Sequence, residues 1–440
     1  MTQVVKGIVI SNNSKESITN IKIDSRKVNK GSLFIAIKGD NDDGHKYLTN
    51  AYNSGCRNFL VAKKNCFFAN DINLSYVKDT KEALIEIGKY YVEQYNPYIV
   101  GITGSVGKTT TRNMVHAVLS KKYETLKNET NQNNEIGVPL TVFNLKKSTK
   151  DLVLEMGMDK EGDLKTLTKI ANPNIAIITN IGLSHIGNFK NQDDIFLGKL
   201  EITDKFKEEN ILIINGDDKY LKSIEHMDIK YKLIKIGFLE SNDLYCESYK
   251  IKDGKTYFKV NNIEEEFILN TTSKFLIYNA LFAIQVGLLK EVDIADIKDA
   301  LLNYKNEEKR LEVIKTDKYT IINDCYNSSL DSIKCAMDSL KHYENRRVAI
   351  IGDIKELGHH EKSIMKTIPS IVKGCCDFAI YIGDNIKYAA DETKDTEYVY
   401  FKTKEDFYKE CKNLIKENDV ILVKASNSCK FNEIVDFIKK

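Results

Sequence analysis

The sequence predicts an α/β protein of three domains, spanning residues 1–96, 97–308 and 309–440. Three observations support this prediction. A chain of 440 residues is long enough for about three domains, each with its own core. Apolar runs alternate with helical stretches through the second and third of these ranges, a pattern typical of parallel sheets with crossover helices. Asn96-Pro97 marks a linker, because the residue before a proline disfavours helix.

The first predicted domain is small and of mixed α/β type, with short β-type runs separated by turn signals. Lys81 to Gln94 is predicted to form a helix, because its apolar residues recur at helical spacing. Ser25, Arg26 and His45 stand at the edges of turns or strands, where they could hydrogen-bond a diphosphate or a nucleobase. Ordinary turn chemistry explains these three residues equally well.

The most informative stretch joins an apolar run to a predicted helix that begins at Lys108. Backbone N–H groups in the glycine-containing turn between them, together with the helix N-terminus, can cradle phosphate oxygens. Lys108 would place a positive charge against the β- and γ-phosphates, and the Thr109 hydroxyl would ligate Mg²⁺. The usual phosphate-loop pattern has glycine where this chain has Ile102, so the turn depends on Gly104 and Gly107. We expect ATP to bind here.

Two candidate metal ligands follow apolar runs of the same predicted domain. Glu155 ends the run that starts at Leu152, and His185 lies just beyond the run from Ile175 to Ile178. Open α/β sheets place their ligands at the carboxyl ends of the strands. A carboxylate and an imidazole at that edge could ligate one or two Mg²⁺ ions. The alternative that His185 is an ordinary loop histidine stays open.

The rest of the chain gives further elements. The central domain should contain an antiparallel patch from Leu244 to Leu269 and a helix from Ser273 to Lys290. The third domain should contain strands at Tyr319 to Asn323, Arg347 to Gly352, Phe378 to Gly383 and Asp419 to Lys424. This alternation is typical of a Rossmann-like, doubly wound sheet. Its first turn lacks G-x-G-x-x-G, so a dinucleotide site is not predicted.

Composition narrows the function classes. Lys and Arg number 65 against 63 Asp and Glu, so no basic field indicates a nucleic-acid or anionic membrane partner. The nine cysteines lack metal-ligand spacing and fit reduced, structural thiols. No apolar run approaches the roughly 18 residues of a membrane-spanning helix, and the first residues lack a secretory leader pattern. We therefore predict a cytoplasmic protein with no integral membrane segment.

The chain resembles the Mur ligases of peptidoglycan synthesis over essentially its whole length. The motifs that carry the resemblance are Asp24-Ser-Arg, Gly31-x-Leu-Phe-x-Ala, Asp43-Gly-His45, Gly101-Ile-Thr-Gly-Ser-Val-Gly-Lys-Thr-Thr-Thr, Asn134-x-Ile-Gly-x-Pro-Leu-Thr141, Glu155-Met-Gly, Thr179-Asn-Ile-Gly-x-x-His185, Gly198-Lys-x-Glu-Ile, Asp324-x-Tyr-Asn327, Gly352-Asp-x-x-Glu-Leu-Gly358 and Leu422-Val-Lys424. Each motif alone is weakly specific, whereas their order and spacing together are strongly specific. The loop with Ile102 is the form that this family uses.

The resemblance implies a first domain that binds a UDP moiety, a central P-loop-type ATPase domain, and a third domain that receives an amine. The catalytic residues that it implies are Lys108, Glu155, His185 and Lys199, with Lys199 carbamylated by CO₂. It also implies one or two Mg²⁺ ions held by Thr109, Glu155, His185 and the carbamate of Lys199. A carbamate turns a cation into an anion, which suits a lysine beside Mg²⁺. From the residues alone, Lys199 is indistinguishable from an exposed helical lysine.

The resemblance also assigns the binding residues and the reaction. The implied ATP-binding residues are Thr103, Gly104, Ser105, Val106, Gly107, Lys108, Thr109, Thr110, Asn279, Arg310 and Asp324. The implied substrate-binding residues are Ser25, Arg26, Asp43, Gly44, His45, Asn134, Thr141, Tyr326, Asn327, Lys424 and Ser426. The implied reaction joins D-alanyl-D-alanine to UDP-MurNAc-tripeptide through an acyl phosphate, in a monomeric enzyme. The third residue of the tripeptide, lysine or diaminopimelate, is left open.

Three stretches depart from the pattern of these relatives. Phe275-Leu276 stands where they commonly have His-Asn, Ser328-Ser329-Leu330 where they have Ala-Asn-Pro, and Ala425-Ser-Asn427 where they have Gly-Ser-Arg. Two of the three lie in the domain expected to receive the amine. Two alternatives therefore stay open: a diverged paralogue that uses the same chemistry on another amine or acceptor, and a non-catalytic nucleotide-binding regulator.

Overall fold

The computed structural model describes residues 3–39, 41–67 and 69–439, and its first sheet lies before residue 96. The elements of this part are β1 (Ile8–Asn12), β2 (Asn20–Lys22), β3 (Ser32–Ile35), α1 (Leu48–Asn53), β4 (Asn58–Val61), β5 (Asn73–Tyr76) and α2 (Thr80–Tyr95). The five strands lie in the order β1-β5-β4-β3-β2. β2 to β5 pair in parallel, and β1 pairs antiparallel with β5 at the edge. The mixed α/β character predicted for this part is confirmed.

The second helix, α2, ends the first part of the chain and confirms the predicted helix there. The Asp79 side chain accepts hydrogen bonds from the backbone N–H groups of Lys81 and Glu82, which caps the N-terminus of the helix. The helix ends at Asn96, which has a φ of 46° and directly precedes Pro97. A left-handed residue followed by proline stops a helix sharply, so the chain turns here into the next strand.

The second sheet has nine strands and forms the central part. Its elements are β6 (Tyr98–Thr103), α3 (Lys108–Leu119), β7 (Thr125–Lys127), α4 (Gly137–Val142), β8 (Asp151–Glu155), α5 (Asp163–Ile170), β9 (Ile175–Ile178), α6 (Gln192–Leu200), β10 (Ile211–Asn215), α7 (Lys219–Lys222), β11 (Lys232–Gly237), β12 (Leu244–Lys252), β13 (Lys255–Val260), β14 (Ile263–Leu269), α8 (Phe275–Leu289) and α9 (Ile294–Leu302). The strand order is β14-β13-β12-β11-β10-β9-β6-β8-β7. The strands from β7 to β12 pair in parallel, and β12, β13 and β14 pair antiparallel, as predicted.

The middle strands of the central sheet are buried because helices cover both of their faces. Every residue of β8 and β9 is buried, as expected for parallel strands sandwiched between helices. The helix α8 is apolar on nearly all sides and packs between α3 and the strands β11 and β12. It confirms the helix predicted from Ser273 to Lys290. Across the described ranges, no helix is both long enough and apolar enough to cross a membrane.

The third sheet has six strands and confirms the Rossmann-like, doubly wound prediction. Its elements are β15 (Glu312–Lys315), β16 (Thr320–Asn323), α10 (Leu330–Leu340), β17 (Arg347–Gly352), α11 (Glu361–Met365), α12 (Ile368–Val372), β18 (Phe378–Ile382), α13 (Lys387–Glu392), β19 (Glu397–Phe401), α14 (Lys404–Leu414), β20 (Val420–Lys424) and α15 (Asn432–Ile438). The order is β15-β16-β20-β17-β18-β19. All neighbours pair in parallel except β15, an antiparallel edge strand.

The segment between α9 and β15 bends sharply. Lys309 and Leu311 have φ values of 62° and 48°, in the left-handed region that non-glycine residues seldom adopt. The bend is held by two hydrogen bonds to the loop after β16. The Tyr326 N–H donates to the Lys309 carbonyl at 3.1 Å, and the Leu311 N–H donates to Asp324 Oδ1 at 3.1 Å. These contacts place Arg310, between the two left-handed residues, beside the central sheet.

Candidate active site

The phosphate loop lies between β6 and α3, as predicted from the sequence. Its two glycines have positive φ values, 146° at Gly104 and 88° at Gly107. A Cβ built on Gly104 would overlap the Thr179 hydroxyl, which itself donates to the Val106 carbonyl at 2.6 Å. Only glycine satisfies both the backbone conformation and this close approach. The loop therefore has the shape of a backbone cradle that opens onto the N-terminus of α3.

The loop is held from the neighbouring strand β9. Asn180, just beyond that strand, accepts the Ser105 N–H with its carbonyl at 3.1 Å and the Val106 N–H with its side chain at 2.9 Å. The Gly182 N–H donates to Ser105 Oγ at 2.8 Å. These bonds tie the loop to the end of β9 and so orient it in the absence of a ligand.

Lys108 is half-buried at the N-terminus of α3, and its side chain curls back over the loop. Its ammonium donates to the Gly104 carbonyl at 2.8 Å and to the Ser105 carbonyl at 3.3 Å. Burial lowers the pKa of Lys108, and the nearby Glu155 carboxylate opposes that shift. The charge of Lys108 thus lies where the loop would receive phosphate oxygens.

Thr109 and Glu155 come together at the carboxyl edge of the sheet. The Thr109 hydroxyl donates to Glu155 Oε2 at 2.7 Å, and Asn133 Nδ2 donates to Glu155 Oε1 at 2.9 Å. Glu155 ends β8, and the Asn128 side chain bonds both its N–H and its carbonyl at 2.9 Å. A hydroxyl and a carboxylate beside the phosphate loop are the hard oxygen donors that Mg²⁺ prefers. The donor chemistry of this pair therefore fits a magnesium ion.

His185 faces the third sheet. The residue has a φ of 60°, and its Nδ1 lies 2.7 Å from a carboxylate oxygen of Glu356 and 3.5 Å from one of Asp159. The hydrogen bond from His185 lowers the pKa of Glu356. Among the described residues, no group of three or more His, Cys, Asp and Glu side chains is placed to hold a metal ion. His185 lines the same cavity as Glu155 but is paired across the domain boundary.

Lys199 is buried in α6, with 3% of its surface exposed. Burial, with the charge of Lys108 as a second cause, holds the pKa of Lys199 well below its ordinary value. A buried amine with a lowered pKa is neutral over more of the pH range, and only a neutral amine can react with CO₂. The environment of Lys199 therefore fits carbamylation.

Residues of the third sheet complete the cavity opposite the loop. The Arg310 guanidinium lies 3.7 Å from the centre of the Tyr326 ring, whose hydroxyl bonds the Asn131 side chain. Lys424 is buried and donates to Asp324 Oδ2 at 2.5 Å and to the Asn327 carbonyl at 3.0 Å. These contacts bring several predicted ATP-binding and substrate-binding residues to one wall.

The remaining predicted residues of the central and third sheets have mainly supporting contacts. Asn279 donates to Thr111 Oγ1 at 2.8 Å, beneath the loop, and lines the cavity. Asn134 accepts the N–H at the start of α4 at 2.9 Å, and Thr141 donates to the Gly137 carbonyl one turn later at 3.0 Å. The hydroxyl of Ser426, outside the cavity, accepts the Lys355 N–H at 2.9 Å. Thr103 and Thr110 flank the loop, Thr103 buried and Thr110 against the cavity.

The predicted residues of the first sheet lie apart from this cavity. Arg26 is 87% exposed at its side chain and pairs with Asp24 at 2.9 Å, whereas Ser25 is buried. Both ring nitrogens of His45 are engaged within the domain: Nδ1 lies 2.6 Å from Asp43, and Nε2 accepts the Ala62 N–H at 2.9 Å. A Cβ on Gly44 would come within 2.8 Å of the Ile37 backbone. Of these residues, Arg26 presents the most accessible polar group.

The cavity has a volume of about 1270 Å³ and lies between the central and third sheets. That volume exceeds the range of typical small-ligand pockets, so the cavity is large enough for a nucleotide together with part of a second ligand. The departure at Ser328-Ser329-Leu330 leads into α10, where Ser329 and Ser332 form a reciprocal capping box. Ser329, one of the residues that differ from the relatives' pattern, therefore stabilises the start of a helix that borders the cavity.

Sequence reasoning missed several residues that shape the site. Asn133 braces Glu155, Glu356 pairs with His185, and Asp331 lies against Gly182, where a Cβ would overlap its carboxylate. Asn133 stands in a polar run just before α4, which is a weak signal for a loop facing a ligand. Glu356 lies in one of the motifs that carry the resemblance, but neither its pairing with His185 nor the contact of Asp331 follows from local sequence, because both depend on the packing of two domains.

Comparison with known proteins gives matches along the whole chain. Family models match at residues 17–99 (Mur ligase family, catalytic domain), 102–287 (Mur ligase middle domain) and 309–427 (Mur ligase, glutamate ligase domain). The chain is 32% identical to the UDP-N-acetylmuramoyl-tripeptide–D-alanyl-D-alanine ligase of Bacillus subtilis, with 99% of this chain and 96% of the relative covered. It is 31% identical to the ligase of the same name from Buchnera aphidicola, with 100% and 97% covered.

Solved structures are similar over the same length. A crystal structure of MurF from Acinetobacter baumannii superposes with a TM-score of 0.94 at 25% identity, covering 100% of this chain and 98% of that one. The MurF ligase of Thermotoga maritima, solved in complex with ADP, superposes with a TM-score of 0.85 at 24% identity, covering 96% and 97%. At this identity, the similarity to the Thermotoga maritima structure concerns the fold alone.

Proposed function

The chain belongs to the Mur ligase family, and we propose that it is the ATP-dependent ligase that joins D-alanyl-D-alanine to UDP-MurNAc-tripeptide. The full-length similarity to the Bacillus subtilis enzyme of that name carries the proposal. The phosphate loop, the pair of Thr109 and Glu155, and the buried Lys199 support it, because this reaction needs all three. Within it, residues 1–96 bind the UDP moiety, 97–308 bind ATP, and 309–440 receive the dipeptide.

The reaction follows from the poor electrophilicity of a carboxylate. The terminal carboxylate of the tripeptide attacks the γ-phosphorus of ATP, and ADP leaves to give an acyl phosphate. The neutral amine of the dipeptide then attacks the acyl carbon, the C–O bond to phosphate breaks, and phosphate leaves. The amine loses one proton as the amide forms. The products are UDP-MurNAc-pentapeptide, ADP and phosphate.

The phosphate loop and Lys108 would stabilise the transferring phosphoryl group. The N-terminus of α3, which begins at Lys108 directly after the loop, favours negative charge at this point. The Lys108 ammonium, now bonded to two loop carbonyls, would exchange them for phosphate oxygens. Preorganised donors of this kind stabilise the transition state because they need little rearrangement as charge develops.

Thr109 and Glu155 would hold Mg²⁺. His185 and the carbamate of Lys199 would complete the set of metal ligands. Bound there, the cation would neutralise phosphate charge and orient the transferring group. For His185 to join the set, its ring would have to leave Glu356, which now lies 2.7 Å away. Asn133 would keep the Glu155 carboxylate oriented in either state, because it bonds the oxygen that Thr109 does not use.

The two walls of the cavity would exclude water from the acyl phosphate. Contacts between the domains at His185 with Glu356 and at Asn131 with Tyr326 bring the third sheet over the loop. A closed site protects an intermediate that water would hydrolyse. We further propose that the enzyme acts as a monomer in the cytoplasm, on two small-molecule substrates.

The test is ATP-dependent phosphate release with UDP-MurNAc-tripeptide and a panel of amines. Release with D-alanyl-D-alanine supports the proposal. Release only with another amine would favour a diverged paralogue, an alternative motivated by the departures at Phe275-Leu276 and in the third domain. Binding of ATP without turnover of any amine would instead favour a nucleotide-binding regulator. It would exclude both enzyme hypotheses, the D-alanyl-D-alanine ligase and the diverged paralogue.

A further inference from the structure

Arg112 is a buried cation next to the phosphate loop that the reaction described above does not use. It lies on α3, one turn after Lys108, and its side chain is only 1% exposed. A buried guanidinium costs free energy unless charged or polar partners compensate for its lost hydration. Its partners therefore indicate what it does.

The guanidinium lies between two carboxylates. Its Nη2 donates to Glu307 Oε1 at 2.7 Å and to Asn113 Oδ1 at 3.0 Å. Its Nη1 lies 3.6 Å from Glu155 Oε2, the same oxygen that accepts the Thr109 hydroxyl. Among the described residues, that buried Nη1 has no hydrogen-bond partner. Arg112 is thus tightly bonded to Glu307 and held within reach of Glu155.

Glu307 connects this cation to the bend between the central and third sheets. Its second oxygen accepts the Thr130 hydroxyl at 3.1 Å and lies 3.7 Å from Arg310 Nε. Asn113 Nδ2 also donates to Glu307, at 2.7 Å. Glu307 comes two residues before Lys309, the first left-handed residue of the bend. The network therefore extends from Glu155 to the segment that carries Arg310.

We propose that Arg112 is a positioning residue that lies between the Glu155 and Glu307 carboxylates and links them. It thereby sets the geometry of the Thr109–Glu155 pair for Mg²⁺ binding. The inference rests on the proposed magnesium site. Glu155 receives two neutral hydrogen bonds, from Thr109 and from Asn133. Arg112 approaches the same carboxylate as a cation anchored at its other nitrogen. Groups that orient a metal ligand in this way commonly change metal affinity by 10- to 100-fold when removed.

The test measures thermal unfolding with ADP, with and without increasing MgCl₂, and the Mg²⁺ dependence of turnover. In the wild type, Mg²⁺ should add to the stabilisation that ADP alone gives, since a ligand that binds the folded state raises Tm. In Arg112→Met, the Mg²⁺ concentration that gives half of this added stabilisation should rise by about tenfold or more. Arg112→Lys, which keeps the charge, should recover part of the loss, and Glu307→Gln should shift the value in the same direction.

Lys290→Met is the matched control, because Lys290 forms an ion pair at 2.8 Å with the fully buried Asp151 at the other end of β8. It should lower Tm without changing the Mg²⁺ dependence. If Arg112→Met and Glu307→Gln lower Tm but leave the Mg²⁺ dependence unchanged, Arg112 is only a packing residue and the inference is wrong. If Mg²⁺ adds nothing in the wild type, the magnesium site itself fails, and the inference fails with it.

Discussion

Lowering the pH should destabilise this protein through His116, a residue of α3, the helix that begins at the phosphate loop. The ring is half-buried, and its Nε2 lies 3.2 Å from the Thr125 carbonyl. Burial, with the charge of Lys127 as a smaller cause, lowers the pKa of His116 to about 4. The folded protein therefore keeps this imidazole neutral at pH values where the unfolded chain protonates it.

The sign and size of the effect follow from that difference. Because the unfolded pKa of 6.5 is the higher one, the unfolded state binds more protons as the pH falls through it. The free energy of unfolding should then fall by about 2 kcal/mol between about pH 7 and pH 5, and by about 3 kcal/mol at about pH 4. Below the folded pKa of His116 the loss should level off.

Urea-induced unfolding of the wild type and of His116→Gln, followed by circular dichroism at several pH values, measures this contribution. Glutamine keeps an amide that can donate to Thr125 but does not titrate. Other titrating groups affect both proteins equally, so the difference between the two profiles isolates His116. Parallel profiles between about pH 7 and pH 5 would refute the assignment of the lowered pKa to this ring.

Three further outcomes concern the site. Lys199→Ala should lose turnover while ADP still raises Tm, and near-normal turnover would reject the carbamate role. Thr109→Val should lower kcat by about 100-fold with little change in the KM of the tripeptide, because it removes a hydroxyl proposed to ligate the metal; unchanged kcat would reject that ligand. Gly104→Ala should abolish ADP-induced stabilisation, because a Cβ would overlap Thr179, and retained stabilisation would show that the loop can relax.

Local features of the sequence predicted the phosphate loop and its surroundings. A strand, a turn with Gly104 and Gly107, and a helix starting at Lys108 are consecutive in the chain, so neighbouring residues determine their geometry. The approach of Thr109 to Glu155 was also predictable, because parallel strands place their carboxyl ends at one edge. The parallel sheets were predictable as well, because apolar runs alternate with helical stretches along the chain.

Features that depend on packing between distant segments could not be predicted from the residues. Lys199 has the spacing of an exposed helical lysine, and its burial arises only when α6 packs against α5 and α7. Arg112 follows three threonines and resembles any polar helical residue until Glu307 folds back onto it. His185 was expected to face the metal. It pairs instead with Glu356, and that pairing depends on how the third domain packs against the central one, which the residues around His185 do not indicate.

The bend at Lys309 and Leu311 holds the backbone of both residues in a strained conformation. Each left-handed non-glycine residue costs roughly 1 kcal/mol, so the bend stores about 2 kcal/mol that the hydrogen bonds to Tyr326 and Asp324 must offset. A rotation of the third domain that returned both residues to negative φ would recover that energy. Glycine at both positions, which adopts the left-handed region without this cost, should remove that gain.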